Sequence, residues 1–405
     1  MSTRLSRRFY WLALILLLAA CQSQPSPTII PVAIDTQTAL SPTLTATVLP
    51  SETLQATEIP LPTAWPTATA GPTPMGGSEQ IMFSIALRKG ESYQYQGVYH
   101  FNLLNQQINT IFGEGYAIQM LSPDGNWILA NQGSKLFLAG RYGSSPIQLS
   151  NAFYQHSLSP AIWNTDGSQI FWIENASGSM RVIEAEFSGR EVKQAADFLQ
   201  DQSVELLWAD DQQQFAWLQG TCNSGSLCRG EVLVNGAAAG GYSDLGEAAN
   251  PVFDRSHTRL AFTNQHQESP ALGIQNGANT PVHWVDLDGD IPVDYSWSPD
   301  GNRLALLGQI RSDYSGRNFG NQVLILQAPH WKPVLITELE GISARLTWSP
   351  DGNWILFSST LSNDQGYQVQ MALIDPLAKK VEMLALPMVT TSDDYIFIPR
   401  LFWLP

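Results

Sequence analysis

The ten residues Trp348-Ser349-Pro350-Asp351-Gly352-Asn353-Trp354-Ile355-Leu356-Phe357 recur along the chain with small changes, and that recurrence constrains the fold more than any other feature. The phrase reads as a strand ending in Trp, a tight turn and a second strand. Pro presets φ at the second turn position, and Gly takes the position that needs φ > 0. Two strands alone have too little face to bury, so each hairpin must join a larger sheet. Complete copies begin at Leu121, Trp163, Trp208, Phe253, Trp297 and Trp348. Their turn positions Asp124, Asp166, Asp211, Ser256, Asp300 and Asp351 are spaced by 42, 45, 45, 44 and 51 residues.

A period near 45 with several short strands in each repeat is the signature of a β-propeller. The phrase Trp-Ser-Pro-Asp-Gly-x-x-Ile/Leu-Ala/Leu-Phe resembles the repeat of TolB-type propellers, often called WD-like repeats, over essentially all of residues 81–405. The third and fourth copies depart from it, with Gln212 and His257 where Gly stands elsewhere. Two fragments flank the complete copies. Ile81–Leu87 reads like the strand after a turn, and Phe397–Pro405 like the strand before one, so the chain ends should pair and close the ring. The expectation is an all-β propeller of seven four-stranded blades, with the C-terminal strand closing the first, and six blades as the alternative. Third strands are expected at Val98–Leu104, Lys135–Ala139, Met180–Glu186, Glu231–Asn235, Ala271–Gln275, Gln322–Gln327 and Gln368–Ile374. All first-to-second-strand turns then share one rim, and the remaining inner loops share the other.

Residues 1–20 carry Arg4, Arg7 and Arg8 ahead of a short apolar run, the pattern of an export signal. The run closes on Leu18-Ala19-Ala20-Cys21, which resembles the lipobox of bacterial lipoproteins. That resemblance implies that Cys21 carries the lipid, placing the protein at the cell membrane or envelope on its extracytoplasmic side. Residues 22–78 hold ten Pro, twelve Thr and no Lys or Arg, the composition of a disordered stalk. The domain expectation is therefore a signal peptide at 1–20, lipidated Cys21 with its linker to 78, and a propeller from 79 to 405.

The net charge of −15 becomes −18 without residues 1–20, which contain three Arg and no acid. That balance argues against nucleic acid and anionic headgroups, both of which reward basic patches. Cys222 and Cys228 flank a short loop, and outside the cytoplasm such a pair most simply forms a disulfide. The six His lie singly, and no nucleophile elbow or metal-ligand spacing occurs, so neither a catalytic residue, a metal nor a cofactor is expected. Each turn acid (Asp124, Asp166, Asp211, Asp300, Asp351) is explained by bonds to nearby backbone N–H groups.

Function should then lie where the repeat does not dictate sequence, on the loop rim. Tyr93, Tyr95, Phe153, Tyr154, Arg311, Tyr314, Arg317 and Phe319 are the expected partner contacts there, being residue types that anchor interfaces. The expected role is a non-catalytic protein-binding or scaffold module, with envelope or extracellular proteins as partners and glycans as an alternative. The rival is an enzyme, a hydrolase or lyase, whose residues converge on a mouth of the central channel, and a third reading is a sensor of small envelope ligands such as glycans. An exposed aromatic patch on the rim favours the first, and a cluster of His, carboxylate and Arg at one mouth of the channel favours the second.

Overall fold

A computed structural model describes residues 78–405 apart from 91, 155–160, 177–178, 188–191, 200–202, 211–213, 223–227, 235–236, 239–247, 267–268, 278, 310–319, 365, 385, 387–388 and 391–394. The expected signal peptide, Cys21 and all of the expected linker but Ser78 lie outside those residues. Every element described is a β-strand, and every strand pairing is antiparallel.

The turn phrase does what its residues dictate. At Ser298-Pro299-Asp300-Gly301 the Gly301 N–H donates to the Ser298 carbonyl at 2.8 Å, with φ of 66° at Gly301. Asp300 Oδ1 accepts from the Ser298 hydroxyl at 2.5 Å and from Asn302 N–H at 3.1 Å. Ser298 Oγ accepts from Arg303 N–H at 2.9 Å, which launches the second strand. Ser122–Gly125 and Ser349–Gly352 repeat the pattern, with hydroxyl to carboxylate at 2.5 and 2.6 Å. The fourth copy reaches the same end by moving its acid to the Ser position. Asp254 Oδ1 accepts from Thr258 N–H at 2.9 Å and Arg259 N–H at 3.0 Å, and His257 adopts φ of 56° where Gly stands elsewhere.

Hydrogen bonding joins the strands into six sheets, not seven separate ones. Five follow the expected plan of consecutive strands running outward from an inner one. The sixth has eight strands, because Arg229 and Gly230 of Cys228–Val234 pair with Ala249 and Ala248 of Ala248–Phe253. Among the described residues, Ala237–Ala238 pairs with Leu233 and Val234 at the far end of Cys228–Val234, and the near end pairs with the next inner strand instead. The six-fold alternative is thus the count by sheets. Along the axis, Tyr116–Leu121, Ala161–Trp163, Ser203–Ala209, Ala248–Phe253, Ile291–Trp297, Ile342–Trp348 and Leu401–Trp403 lie beside one another in that order. The expected third strands are present at Ser92–Asn102, Lys135–Gly140, Ser179–Glu186, Cys228–Val234, Ser269–Gln275, Gly320–Gln327 and Gly366–Asp375.

The chain ends close the ring as expected. Ile81, Met82 and Phe83 pair with Trp403, Phe402 and Leu401, and Ala86, Leu87 and Arg88 pair with Phe397, Ile396 and Tyr395. The core sits between neighbouring blades rather than inside one sheet. Leu272, Ile274 and Val285 pack with Trp297, Leu304 and Leu326 of the next blade, and Leu356, Met371 and Leu373 pack with Ile81, Phe83 and Trp403 across the closure. Each such side chain contributes roughly 1.5–3 kcal/mol by leaving water. Tryptophans at the ends of inner strands tie one blade to another. Nε1–H of Trp297 donates to the Val252 carbonyl and that of Trp348 to the Ser296 carbonyl, both at 2.9 Å.

Candidate functional site

Five of the inner strands carry an aromatic residue at or next to their end, with a polar residue at one fixed distance before it. Three positions before Trp208, Phe253, Trp297, Trp348 and Trp403 stand Glu205, Asn250, Asp294, Arg345 and Arg400. Equivalent positions on equivalent inner strands lie at one level of a propeller, so these side chains form part of a ring around the channel. The strands carrying Glu205, Asn250, Asp294 and Arg345 all show a register shift at or close to this position. Such bulges re-aim a side chain relative to a regular strand.

Hydrogen bonds link this level from blade to blade. Leu346 N–H donates to Asp294 Oδ2 at 2.9 Å, Arg400 Nη1–H donates to the Gln119 carbonyl at 3.0 Å, and the Tyr295 hydroxyl donates to the Asn250 carbonyl. Glu205 is only 5% exposed, and its Oε2 has no hydrogen-bond partner within the protein. Gln119 Oε1 and Asn250 Oδ1 are likewise buried without a donor.

Burial dominates the electrostatics. It pushes the Glu205 carboxyl up to about 7, against the pull of the Arg400 guanidinium. Asp294 is raised by burial, against Arg345 and the backbone N–H groups of Leu346 and Tyr295. Burial lowers Arg400, while Tyr95 and Glu205 act to raise it and Arg345 to lower it further. Tyr295 is raised well above the usual phenol range by burial, with Asp294 and Glu205 adding to the rise.

None of the ring residues was expected from the sequence, because the copies were aligned on the turn. The missing signal lay just upstream, in the Glu, Asn, Asp, Arg, Arg series read three residues before each aromatic.

The expected site residues separate into distinct groups. Asp124, Asp166, Asp300 and Asp351 serve their own turns. In Asp300 and Asp166 the dominant influences are serine hydroxyls (Ser298 and Ser168), which hold the carboxyls below the usual range. In Asp124 and Asp351 partial burial acts upward, and bonds from Ser122 and Asn126, or Ser349 and Asn353, outweigh it. Asp211 lies outside the described residues, as do Arg311, Tyr314, Arg317 and Phe319. Phe153 is a correction. It is 3% exposed, packs against Trp163, Ile170 and Trp172, and cannot present its ring to a partner. Asn175 N–H donates to the Ala152 carbonyl at 3.0 Å and Tyr154 N–H to the Ile173 carbonyl at 2.9 Å, so the segment runs along a strand. Tyr154 is half-buried beside Ile162 and Phe171 rather than standing free on the rim.

Tyr93 is exposed and has aromatic and cationic neighbours. It is 54% exposed, meets Phe397 edge-on at 5.6 Å between centroids, and has the Arg88 guanidinium 6.0 Å from its ring centre. Phe397 stacks on Tyr395 at 5.5 Å, and Tyr395 meets Tyr367 at 5.2 Å. Four rings from three distant segments thus form one row where the chain ends close. Tyr95, two residues along, is raised by burial, with Arg400 acting to lower it. Cys222 and Cys228 are direct cross-strand partners by backbone register. Among the described residues, no group of three or more His, Cys, Asp or Glu is placed to hold a metal ion.

No family model matches the sequence, and no curated protein matches it. Solved structures do resemble the fold. TolB from Acinetobacter baumannii is 13% identical with a TM-score of 0.46, covering 78% of this chain and 66% of that one. An acylaminoacyl peptidase from Pyrococcus horikoshii is 10% identical with a TM-score of 0.50, covering 76% of this chain and 51% of that one. Porphyromonas gingivalis dipeptidyl peptidase 4 is 9% identical with a TM-score of 0.46, again over 76% and 51%. The chain spans about half the length of these peptidases. The likeness is one of fold, the β-propeller, and a fold shared with a peptidase does not by itself assign or deny catalysis.

Proposed function

We propose that this chain is a lipid-anchored extracytoplasmic propeller that acts as a non-catalytic protein-binding module, with the row of rings around Tyr93 as its contact surface. The observation that carries this reading is the exposure of Tyr93 on a preorganised base of Phe397, Tyr395 and Arg88. Tyr and Arg held rigidly by neighbours lose little entropy on binding, and truncating such an anchor typically costs about 2 kcal/mol or more of affinity. A lipid on Cys21 and a Pro/Thr-rich stalk would hold that surface away from the membrane while keeping it within reach of envelope proteins.

Site-specific photo-crosslinking in cells tests the reading. A photoreactive residue at Tyr93 should trap a discrete envelope protein, and one at Leu377, exposed on an outer blade edge, should not. The Phe397→Ala variant should reduce the Tyr93 crosslink several-fold. Equal trapping at both positions, or none at Tyr93, would remove the rim as the binding surface.

A further inference from the structure

The ring three residues before the inner aromatics plays no part in the rim surface, yet it is built from five consecutive blades. Its charges are segregated around the axis. Glu205, Asn250 and Asp294 occupy three successive inner strands, Arg345 occupies the next, and Arg400 immediately precedes Leu401–Trp403. Glu205 and Arg400 are carried by inner strands that are not neighbours, with Asn250, Asp294 and Arg345 between them in chain order, and each acts electrostatically on the other. With all four ionised, the ring's two carboxylates and two guanidinium groups sum to zero.

That neutrality selects the kind of ligand. An anion or a cation entering this buried level would leave one charge uncompensated, at a cost of several kcal/mol. A ligand of zero net charge with separated ends would not. On one wall, Glu205 Oε2 and Asn250 Oδ1 are buried acceptors without a donor. A primary ammonium has three N–H donors and can serve both. On the other wall stand two guanidinium groups, whose fork of donors matches a carboxylate. Asp294 is already engaged by Leu346 N–H at 2.9 Å and sits beside Arg345, which leaves Glu205 as the acid best placed for an incoming ammonium.

We infer that the channel binds a small zwitterion of the amino-acid class, its ammonium on Glu205 and Asn250 and its carboxylate between Arg345 and Arg400. Each end forms charge-assisted hydrogen bonds, about twice as strong as neutral ones, in a site shielded from water.

Calorimetric titration of the full chain in detergent tests this with a graded series of zwitterions. The series runs from glycine, which has both groups on one carbon, to ε-aminocaproate, with butylamine and butyrate as single-charge controls. One spacing should bind at least about tenfold more tightly than either control. Glu205→Gln and Arg345→Gln should each weaken that ligand by about tenfold or more, with circular dichroism unchanged. If either variant fails to fold, Asn250→Ala decides in its place, because it removes an acceptor and no charge; it should weaken binding several-fold. No heat with any probe at about 10 mM would overturn the inference. So would butyrate binding as well as the best zwitterion, or affinity unaffected by the substitutions. None of these outcomes bears on the rim, whose readout is the crosslink at Tyr93.

Discussion

Replacing Glu205 by Gln is the most direct test of the buried ring, because the sign and size of its effect both follow from the structure. The carboxyl is 5% exposed, and burial raises it from an ordinary 4.5 to about 7 despite Arg400. The folded protein therefore holds this proton more tightly than the unfolded chain does. The stability contributed by Glu205 is fully present below pH 4.5 and is lost as pH rises through about 7. At about 1.36 kcal/mol per pH unit, the span from 4.5 to about 7 amounts to roughly 3 kcal/mol. Gln keeps the shape of the protonated acid and cannot ionise. Wild type and variant should be of similar stability near pH 4.5, and the variant should be more stable by roughly 3 kcal/mol near pH 8. Urea unfolding followed by Trp fluorescence, run on both proteins across this range, gives the difference directly. Other titrating groups cancel in the comparison, provided they do not touch Glu205. The turn acids Asp124, Asp166, Asp300 and Asp351 act with the opposite sign. Their depressed values add stability above their ordinary 3.8 that is lost as pH falls below it. Parallel stability curves for wild type and variant between pH 4.5 and 8 would refute the burial argument for Glu205.

Other consequences are equally accessible. Trp348→Phe loses the 2.9 Å bond to the Ser296 carbonyl between neighbouring blades and should cost about 1–2 kcal/mol in urea unfolding; a change under a few tenths would mean the bond contributes nothing. Deleting residues 401–405 removes buried Trp403 and Leu404 and opens the ring, costing roughly 3–6 kcal/mol from those two side chains alone. A soluble truncated chain with an unchanged unfolding midpoint would count against closure by the C-terminal strand. Directly opposed residues of antiparallel strands lie about 4.5–5.5 Å apart at Cα, within disulfide range, so non-reducing peptide mass spectrometry should show Cys222 joined to Cys228. Two free thiols in protein exported to an oxidising compartment would rule that bond out. Cys21→Ser should release the protein from the membrane fraction, and retention of the variant there would end the lipid-anchor proposal.

What could be read without coordinates was whatever a few neighbouring residues dictate among themselves. The Ser-Pro-Asp-Gly turn is closed by bonds spanning five residues or fewer, so its chemistry is written in consecutive letters, and its spacing reveals the repeat. The pairing of the two chain ends was legible for the same reason, each end being half of a recognisable phrase. The six-sheet count was not, because it turns on backbone pairing of Arg229 and Gly230 with Ala249 and Ala248, which no side-chain pattern announces. Phe153 shows the limit for surface residues. Its loop-like sequence gave no sign that neighbouring backbone would pair with Gln169–Ala176 and draw the ring inward. The row from Tyr93 to Tyr367 belongs to tertiary structure alone, and the ring from Glu205 to Arg400 shows in the sequence only as a fixed offset whose meaning the tertiary structure supplies. Their members lie far apart in sequence and meet because a propeller brings equivalent positions of successive strands to one level around an axis.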